Sequence, residues 1–210
     1  EGEGSWLSVL ADFRSGALKK RYTCAGEVDV TKLPLPKMSV YFDAESERFS
    51  PDDYPVQVSR GCPMTCHACA LPTSMTRKLR IFDFEHVVGQ LDQLRAAGKR
   101  ACLTEDTSWF PGGKTRRQLN QLFDHMIERP NEAVISYIGI SMPMILATPP
   151  SMLERAKAAG INMFYLVGGF DPVTMNAFTG RDPLAWQRGL DSIAKAWDHG
   201  IEPYTSFLIG

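Results

Sequence analysis

Pro55-Val-Gln-Val-Ser59 is a short apolar run, and Asp83-Phe-Glu-His-Val-Val-Gly-Gln-Leu91-Asp-Gln-Leu-Arg-Ala-Ala-Gly98 sets Phe84, Val87, Val88, Leu91 and Leu94 at helical spacing. Asp83 suits an N-cap, because a short acidic side chain can accept from the first free amides. Gly98 suits a stop, because glycine enters the left-handed region at little cost. The first run predicts a strand, the second an amphipathic helix, and the segment between them a long loop.

The same unit recurs downstream. Arg100-Ala-Cys-Leu-Thr-Glu105 predicts a second strand, and Thr115 with Gln118 a capping box for a helix whose stripe of Leu119, Leu122, Phe123, Met126 and Ile127 ends at Pro130. Val134 to Ile140 predicts a third strand, followed by a helix that starts at Pro149 and Pro150 and closes at Gly160. Asn162 to Val167 gives a fourth strand. Asp182 and Pro183 then open a helix with Trp186, Leu190, Ile193, Ala194 and Trp197 on one face and Gly200 at its end, and residues 203–210 supply a fifth strand. Strands that alternate with helices pair in parallel through right-handed crossovers, and near-continuous apolar strands are buried on both faces. The expected fold class is α/β, a partial (β/α) barrel with parallel strands over residues 55–210. A doubly wound sheet is the alternative, since periodicity does not distinguish closure from an open sheet. In both, function sits at the carboxyl ends of the strands.

Residues 1–54 differ in character: Leu33-Pro-Leu-Pro36, the turn-like Ser50-Pro51 and mixed charge predict an irregular connector with one short helix near Trp6 to Phe13. The chain opens on Glu1, and its last apolar run stops without a turn or helix, so a piece of a longer protein is expected, with the C-terminal strands missing. At 210 residues a chain buries about 70% of its unfolded surface, enough for a core without disulfide staples. Lys plus Arg number 23 against 24 for Asp plus Glu, a net charge of −1, which supplies no field for nucleic acid or an anionic membrane. Ala133 to Leu153 carries no charge over 21 residues, but Pro143, Pro149 and Pro150 favour a buried strand and a loop over a membrane span. No signal peptide is visible.

Three of the five cysteines, Cys62, Cys66 and Cys69, crowd into Ser59-Arg-Gly-Cys-Pro-Met-Thr-Cys-His-Ala-Cys69, while Cys24 and Cys102 stand alone. Disulfide frameworks spread cysteines in even sets, whereas tight clusters in a larger chain without a signal bind metal, and a reducing, cytoplasmic compartment follows. Three thiolates on a tight loop can converge on an iron-sulfur cluster and leave one iron open. Gly61 and Pro63 suit a loop whose backbone runs close to the cluster. Zinc held with His67 as a fourth ligand is the rival, disfavoured because adjacent Cys66 and His67 fit one tetrahedral site poorly.

CxxxCxxC in the loop after the first strand of a (β/α) array resembles the radical S-adenosylmethionine superfamily. The wording Arg60-Gly-Cys-Pro-Met-Thr-Cys-His-Ala-Cys69, with the Leu33 to Pro36 turn and the Ser59 to Pro63 lead-in, is similar to its cobalamin-binding subfamily. The resemblance implies a radical S-adenosylmethionine domain over residues 55–210, with residues 1–54 as the connector from an upstream cobalamin-binding domain. It implies a 4Fe-4S cluster on Cys62, Cys66 and Cys69, and S-adenosylmethionine bound at the open iron and cleaved reductively to a 5′-deoxyadenosyl radical. Cobalamin-dependent methylation of an unactivated carbon is the reaction implied for the subfamily, with cyclisation or oxidation as alternatives.

The same resemblance puts Glu105 and Asp106 at the amino group of S-adenosylmethionine, and Gly168, Gly169 and Asp171 near its ribose and adenine. His67 lies beside the cluster, where an imidazole can tune the potential. Ala68 stands where the family has an aromatic residue, and only Asp171 where it often has a Glu. A small-molecule substrate and an electron donor such as flavodoxin or ferredoxin complete the implied partners. Trp109, Phe110, Gly112 and Gly113 could line a pocket or plug the space under a loop, Arg60 and Thr65 could position the cysteine loop, and Cys102 reads as a small hydrophobe. A non-catalytic iron-sulfur or zinc module for electron transfer or docking is the rival from another class. It would cap every iron site with protein ligands.

Overall fold

The computed structural model describes residues 2–24, 26–64, 66, 69–71, 76–103, 109, 112–130, 134–167, 173 and 182–205. In chain order its strands are β1 (Asp53–Pro55), β2 (Ser59–Arg60), β3 (Arg80–Ile81), β4 (Arg100–Leu103), β5 (Ile135–Ser141), β6 (Met163–Val167) and β7 (Glu202–Thr205). The helices are α1 (Glu3–Arg14), α2 (Ser39–Phe42), α3 (Phe84–Ala96), α4 (Gly113–Ile127), α5 (Met142–Ala147), α6 (Pro150–Ala158) and α7 (Ala185–Asp198). β1, β4, β5, β6 and β7 pair in parallel, and their order in the sheet is their order in the chain. Such a sheet has no reversal point, so crossovers of one hand wind the chain about a single axis; a doubly wound sheet needs a strand order that doubles back. The partial (β/α) barrel is therefore the architecture.

Alternation along the strands sorts the two faces of the sheet. Ile138 pairs with Phe164 and Ile140 with Leu166, and all four are fully buried against Leu94 of α3, Leu122 and Phe123 of α4, and Leu153 of α6. The opposite face carries Tyr137, Tyr165 and Tyr204, which are half-buried or exposed. Gly98, Gly160 and Gly200 each follow a helix with φ of 67°, 88° and 69°, as their reading as stops requires.

Several expectations needed correction. Asp83 is the N-cap residue of α3, but its side chain caps no amide. On α7 the expected apolar face of Trp186, Leu190 and Trp197 is exposed, and the helix buries Ala185, Gly189, Ser192 and Ala196 instead. Pro55 to Ser59 is not one strand. The Val56 amide still donates to Cys102 O, but the chain then leaves the sheet, and Ser59–Arg60 pairs antiparallel with Arg80–Ile81. The capping box at Thr115 and Gln118 does not form, because α4 starts earlier, with Gly112 as its N-cap. Both side chains are buried, and the Gln118 amide donates instead to Phe82 O. After β5 the uncharged stretch continues directly into α5, with Pro143 in the first turn, rather than into a loop. The second and fifth strands are described as far as Leu103 and Thr205; residues 104–105 and 206–210 lie outside the described residues. Among the described residues no helix is long and apolar enough to cross a membrane.

The connector contains the expected helix, α1, which buries none of its residues. Further along it is firmly docked. Val30 and Met38 enter the main core, and Gln93 of α3 accepts from the Met38 amide (2.9 Å) and donates to Pro36 O (3.0 Å). Leu35 packs over Gly89, where an added Cβ would come within 3.1 Å of its methyls.

At the amino ends of β1 and β4 the Glu45 carboxylate accepts from Lys99 Nζ (2.7 Å), Ser50 Oγ (2.8 Å) and the Tyr54 hydroxyl. The Lys99 ammonium, then the two hydroxyls, hold Glu45 down at about 2, while burial first and Glu45 second push Tyr54 up to about 12.

Two outcomes follow. Phe123→Ala is expected to cost about 3–5 kcal/mol in urea unfolding, because the ring is fully buried beside Trp109. Since the folded pKa of Glu45 lies below its ordinary 4.5, the stabilisation is complete above that value and is lost as pH falls toward about 2. Thermal denaturation between about pH 5 and 2 should therefore show a shallower loss of Tm in Glu45→Gln than in the parent, from a lower starting Tm at neutral pH.

Candidate metal centre

β1 ends at the carboxyl edge of the sheet, and within a few residues the chain forms β2, whose partner β3 lies beyond the cysteines. The pairs Ser59 with Ile81 and Arg60 with Arg80 close a neck, extended on one side by Phe82 N donating to Val58 O (3.1 Å) and on the other by Cys62 N donating to Thr76 O (3.3 Å). Cys62, Cys66 and Cys69 all sit on the loop that this neck closes. None of the three is in a disulfide; Cys62 is buried, Cys66 and Cys69 half-buried, and Cys69 N donates to Cys66 O (3.3 Å). Among the described residues no three His, Cys, Asp or Glu side chains are gathered into a metal-binding set.

The neck depends on Gly61. Its φ is 87°, and a Cβ there would lie 2.3 Å from Lys78 O and 2.8 Å from Thr76 O. Only a residue without a side chain lets the two limbs pass this closely. Arg60 secures the outer side: its guanidinium donates to Glu3 of α1 (2.8 Å) and Gln57 (2.9 Å) and lies over the Phe82 ring, 5.7 Å from the centroid. Arg60 is thus a positioning residue of the neck.

The remaining expected contacts fall differently. His67, Thr65, Ala68, Glu105, Asp106, Phe110, Gly168, Gly169 and Asp171 lie outside the described residues. Trp109 plugs rather than lines: it is buried against Phe123 and Phe164, and its Nε1 donates to Thr148 Oγ1 (2.7 Å). Gly112 and Gly113 begin α4. Cys102 is buried, its thiol pushed up by desolvation and hydrogen-bonded to Tyr137, whose own hydroxyl is raised chiefly by burial.

The aromatic inner face escaped the sequence reading. Tyr165 and Tyr204 stand side by side on β6 and β7, with ring centroids 5.8 Å apart. The signal was present, as tyrosines alternate with Ile, Leu and Phe in residues 135–141 and 163–167. Phenol rings on such a face offer flat apolar contact with a hydroxyl for orientation.

By its donor chemistry the loop fits an iron-sulfur cluster: three thiols outside any disulfide, spaced as CxxxCxxC, on a loop whose neck needs glycine, at the carboxyl edge of a parallel sheet.

No protein-family model matches the chain. It is 23% identical over 191 residues to hopanoid C-2 methylase of Rhodopseudomonas palustris, covering 90% of this chain and 35% of that protein. It is 25% identical over 113 residues to bacteriochlorophyllide d C-8(2)-methyltransferase of Chlorobaculum tepidum, covering 52% of this chain and 25% of that one. The chain therefore spans about a third of the length of the first relative. Among solved structures it shares the fold of the radical S-adenosylmethionine methyltransferase TsrM from Kitasatospora setae. The form with tryptophan substrate and the S-adenosylmethionine analogue aza-SAM aligns at a TM-score of 0.59 and 14% identity, over 76% of this chain and 30% of that one. The form with cobalamin and a [4Fe-4S] cluster aligns at 0.57 and 14%, over 74% and 31%. The resemblance to cobalamin-type radical S-adenosylmethionine enzymes is borne out by these relatives.

Gly61→Ala is expected to open the neck, since strain at positive φ alone costs about 1–3 kcal/mol before the clash with Lys78 O is counted. Iron and sulfide per chain after anaerobic reconstitution should fall well below the parent, while far-ultraviolet circular dichroism stays close to it.

Proposed function

We propose that this chain is the radical domain of an enzyme that cleaves S-adenosylmethionine reductively at a 4Fe-4S cluster and uses cobalamin to methylate an unactivated carbon of a small molecule. The observation that carries the reading is the glycine-dependent neck, which presents Cys62, Cys66 and Cys69 on one loop at the carboxyl edge of a singly wound parallel sheet. When bound, the cluster supplies the electron that breaks the sulfonium bond and releases a 5′-deoxyadenosyl radical. The protein's own part is to hold, orient and keep dry. The three thiolates are the ligands. Arg60 and Gly61 keep the neck shut. Trp109 seals the core beneath the following loop, and Tyr165 with Tyr204 offers the substrate a flat wall.

Glu105 and Asp106 receive the amino group of S-adenosylmethionine in this reading, Gly168, Gly169 and Asp171 its nucleoside, and His67 adjusts the cluster's potential. Residues 1–54 serve as the connector from a cobalamin domain, a role supported by the docking of the Leu33–Pro36 turn on α3. Methylation rather than cyclisation or oxidation is favoured because both curated relatives are named for methyl transfer. An electron donor of the flavodoxin or ferredoxin class is required, and cysteines outside disulfides beside a low-potential cluster call for reducing, cytoplasmic surroundings.

The full-length protein, reconstituted anaerobically, is expected to bind iron and no zinc, and to release 5′-deoxyadenosine with dithionite and S-adenosylmethionine. Cys66→Ala should drop both cluster absorbance and 5′-deoxyadenosine to the level of a protein-free blank. Release undiminished in Cys66→Ala, or zinc at one ion per chain, would refute the assignment.

A further inference from the structure

Two stretches of the chain carry cations and no carboxylates: Val56 to Phe82, with Arg60, Arg77, Lys78 and Arg80, and Thr107 to Phe123, with Lys114, Arg116 and Arg117. The fold brings them together. Lys78 and Arg80 from the returning limb of the cysteine loop, and Lys114 and Arg117 from the first turns of α4, line one cleft of about 680 Å³ beside the neck. Glu27, Asp29 and Asp83 share the lining; Glu27 pairs with Lys78 at 3.6 Å and Asp29 holds Thr31 and Lys32, so among the described residues Lys114 and Arg117 are the lining cations that no carboxylate engages. Arg80 is nine-tenths buried and donates to Val28 O (2.7 Å), so it backs the cleft, while Lys78, Lys114 and Arg117 reach solvent. Gly112 brings no side chain to the free amides of α4, whose dipole adds to the positive potential.

We infer that this cleft is the docking surface for an acidic electron-transfer protein that reduces the cluster, an inference that rests on the function proposed above. The donor gives up one electron and the cluster takes it, with no bond made or broken. Three features favour a protein surface as the occupant. The cations are spread over two elements rather than focused on one point. They adjoin the neck that holds the ligands. Docking here also leaves the inner face of the sheet free for substrate. Because the whole chain is only −1, the field is local, which suits steering of one acidic partner over general attraction to polyanions.

The test uses the full-length reconstituted enzyme and reduced flavodoxin, with cluster reduction followed by stopped-flow absorbance. The combined variant Lys114→Glu, Arg117→Glu is expected to lower the second-order rate about tenfold at low ionic strength and to weaken its decline with salt. The corresponding glutamine variant should fall between. Dithionite reduction, and dithionite-driven 5′-deoxyadenosine release, should match the parent in both. Reduction of the charge-reversed variant by flavodoxin at the parental rate overturns the docking surface. If that result came with a thermal stabilisation by inorganic phosphate that only the parent shows, the cleft would belong to a small anion. Failure of the parent itself to release 5′-deoxyadenosine with dithionite is a separate result that sinks the proposed function, and the docking surface with it.

Discussion

The crossing of two backbone limbs at Gly61 is the constraint on which the rest of the site depends. A loop long enough to carry three ligands pays an entropy for closure that grows slowly with its length, and the two-residue ladder of β2 and β3 is a small return for it. What lets so short a ladder hold is the closeness of the limbs beyond it, with Lys78 O and Thr76 O in the space a side chain on residue 61 would occupy. Arg60 adds a planar, always-charged clamp across the same point, joining Glu3, Gln57 and the Phe82 ring. Cys62 takes part in the closure through its backbone, its amide donating to Thr76 O.

Winding the sheet in chain order has a second consequence. Among the described residues the helices cover one face of the sheet, and the tyrosines stand on the other. Ile138, Ile140, Phe164 and Leu166 take the covered side, and Tyr137, Tyr165 and Tyr204 the other. In a doubly wound sheet helices would cover both, and a ligand could use only the crevice at the carboxyl ends. Trp109 belongs to this division as well. It spends its indole N–H on Thr148 inside the core, and so it is unavailable to a ligand.

The repeating units were legible because periodicity and punctuation agreed: Gly98, Gly160 and Gly200 each end a helix at positive φ, and the apolar stripes of α3 and α4 face the core. Local signals failed where a distant partner outbid them. Thr115 and Gln118 look like a cap in isolation, but the carbonyl of Phe82, freed at the end of the neck, claims Gln118. Pro55 to Ser59 looks like one strand, but its second half finds β3 across the loop. The cysteine spacing was readable because it is local chemistry. The cationic cleft was not, because it unites residues 78–80 with residues 114–117, and only the fold shows that two stretches without carboxylates are neighbours.

The connector shows how an irregular segment is held without a ladder of its own. Pro34 and Pro36 have no amide hydrogen to give, so strand pairing is closed to them. Side chains of the barrel domain satisfy the connector's backbone instead: Gln93 serves Pro36 and Met38 with its two ends, and Arg80 serves Val28. Arg80 is also half of a neck pair, and Arg60, the other half, holds Glu3. The connector is thereby joined at two points to the ladder that closes the cysteine loop. The two ties differ in weight: Arg80 holds Val28 O from a buried position, whereas the Arg60–Glu3 pair is partly exposed and contributes less.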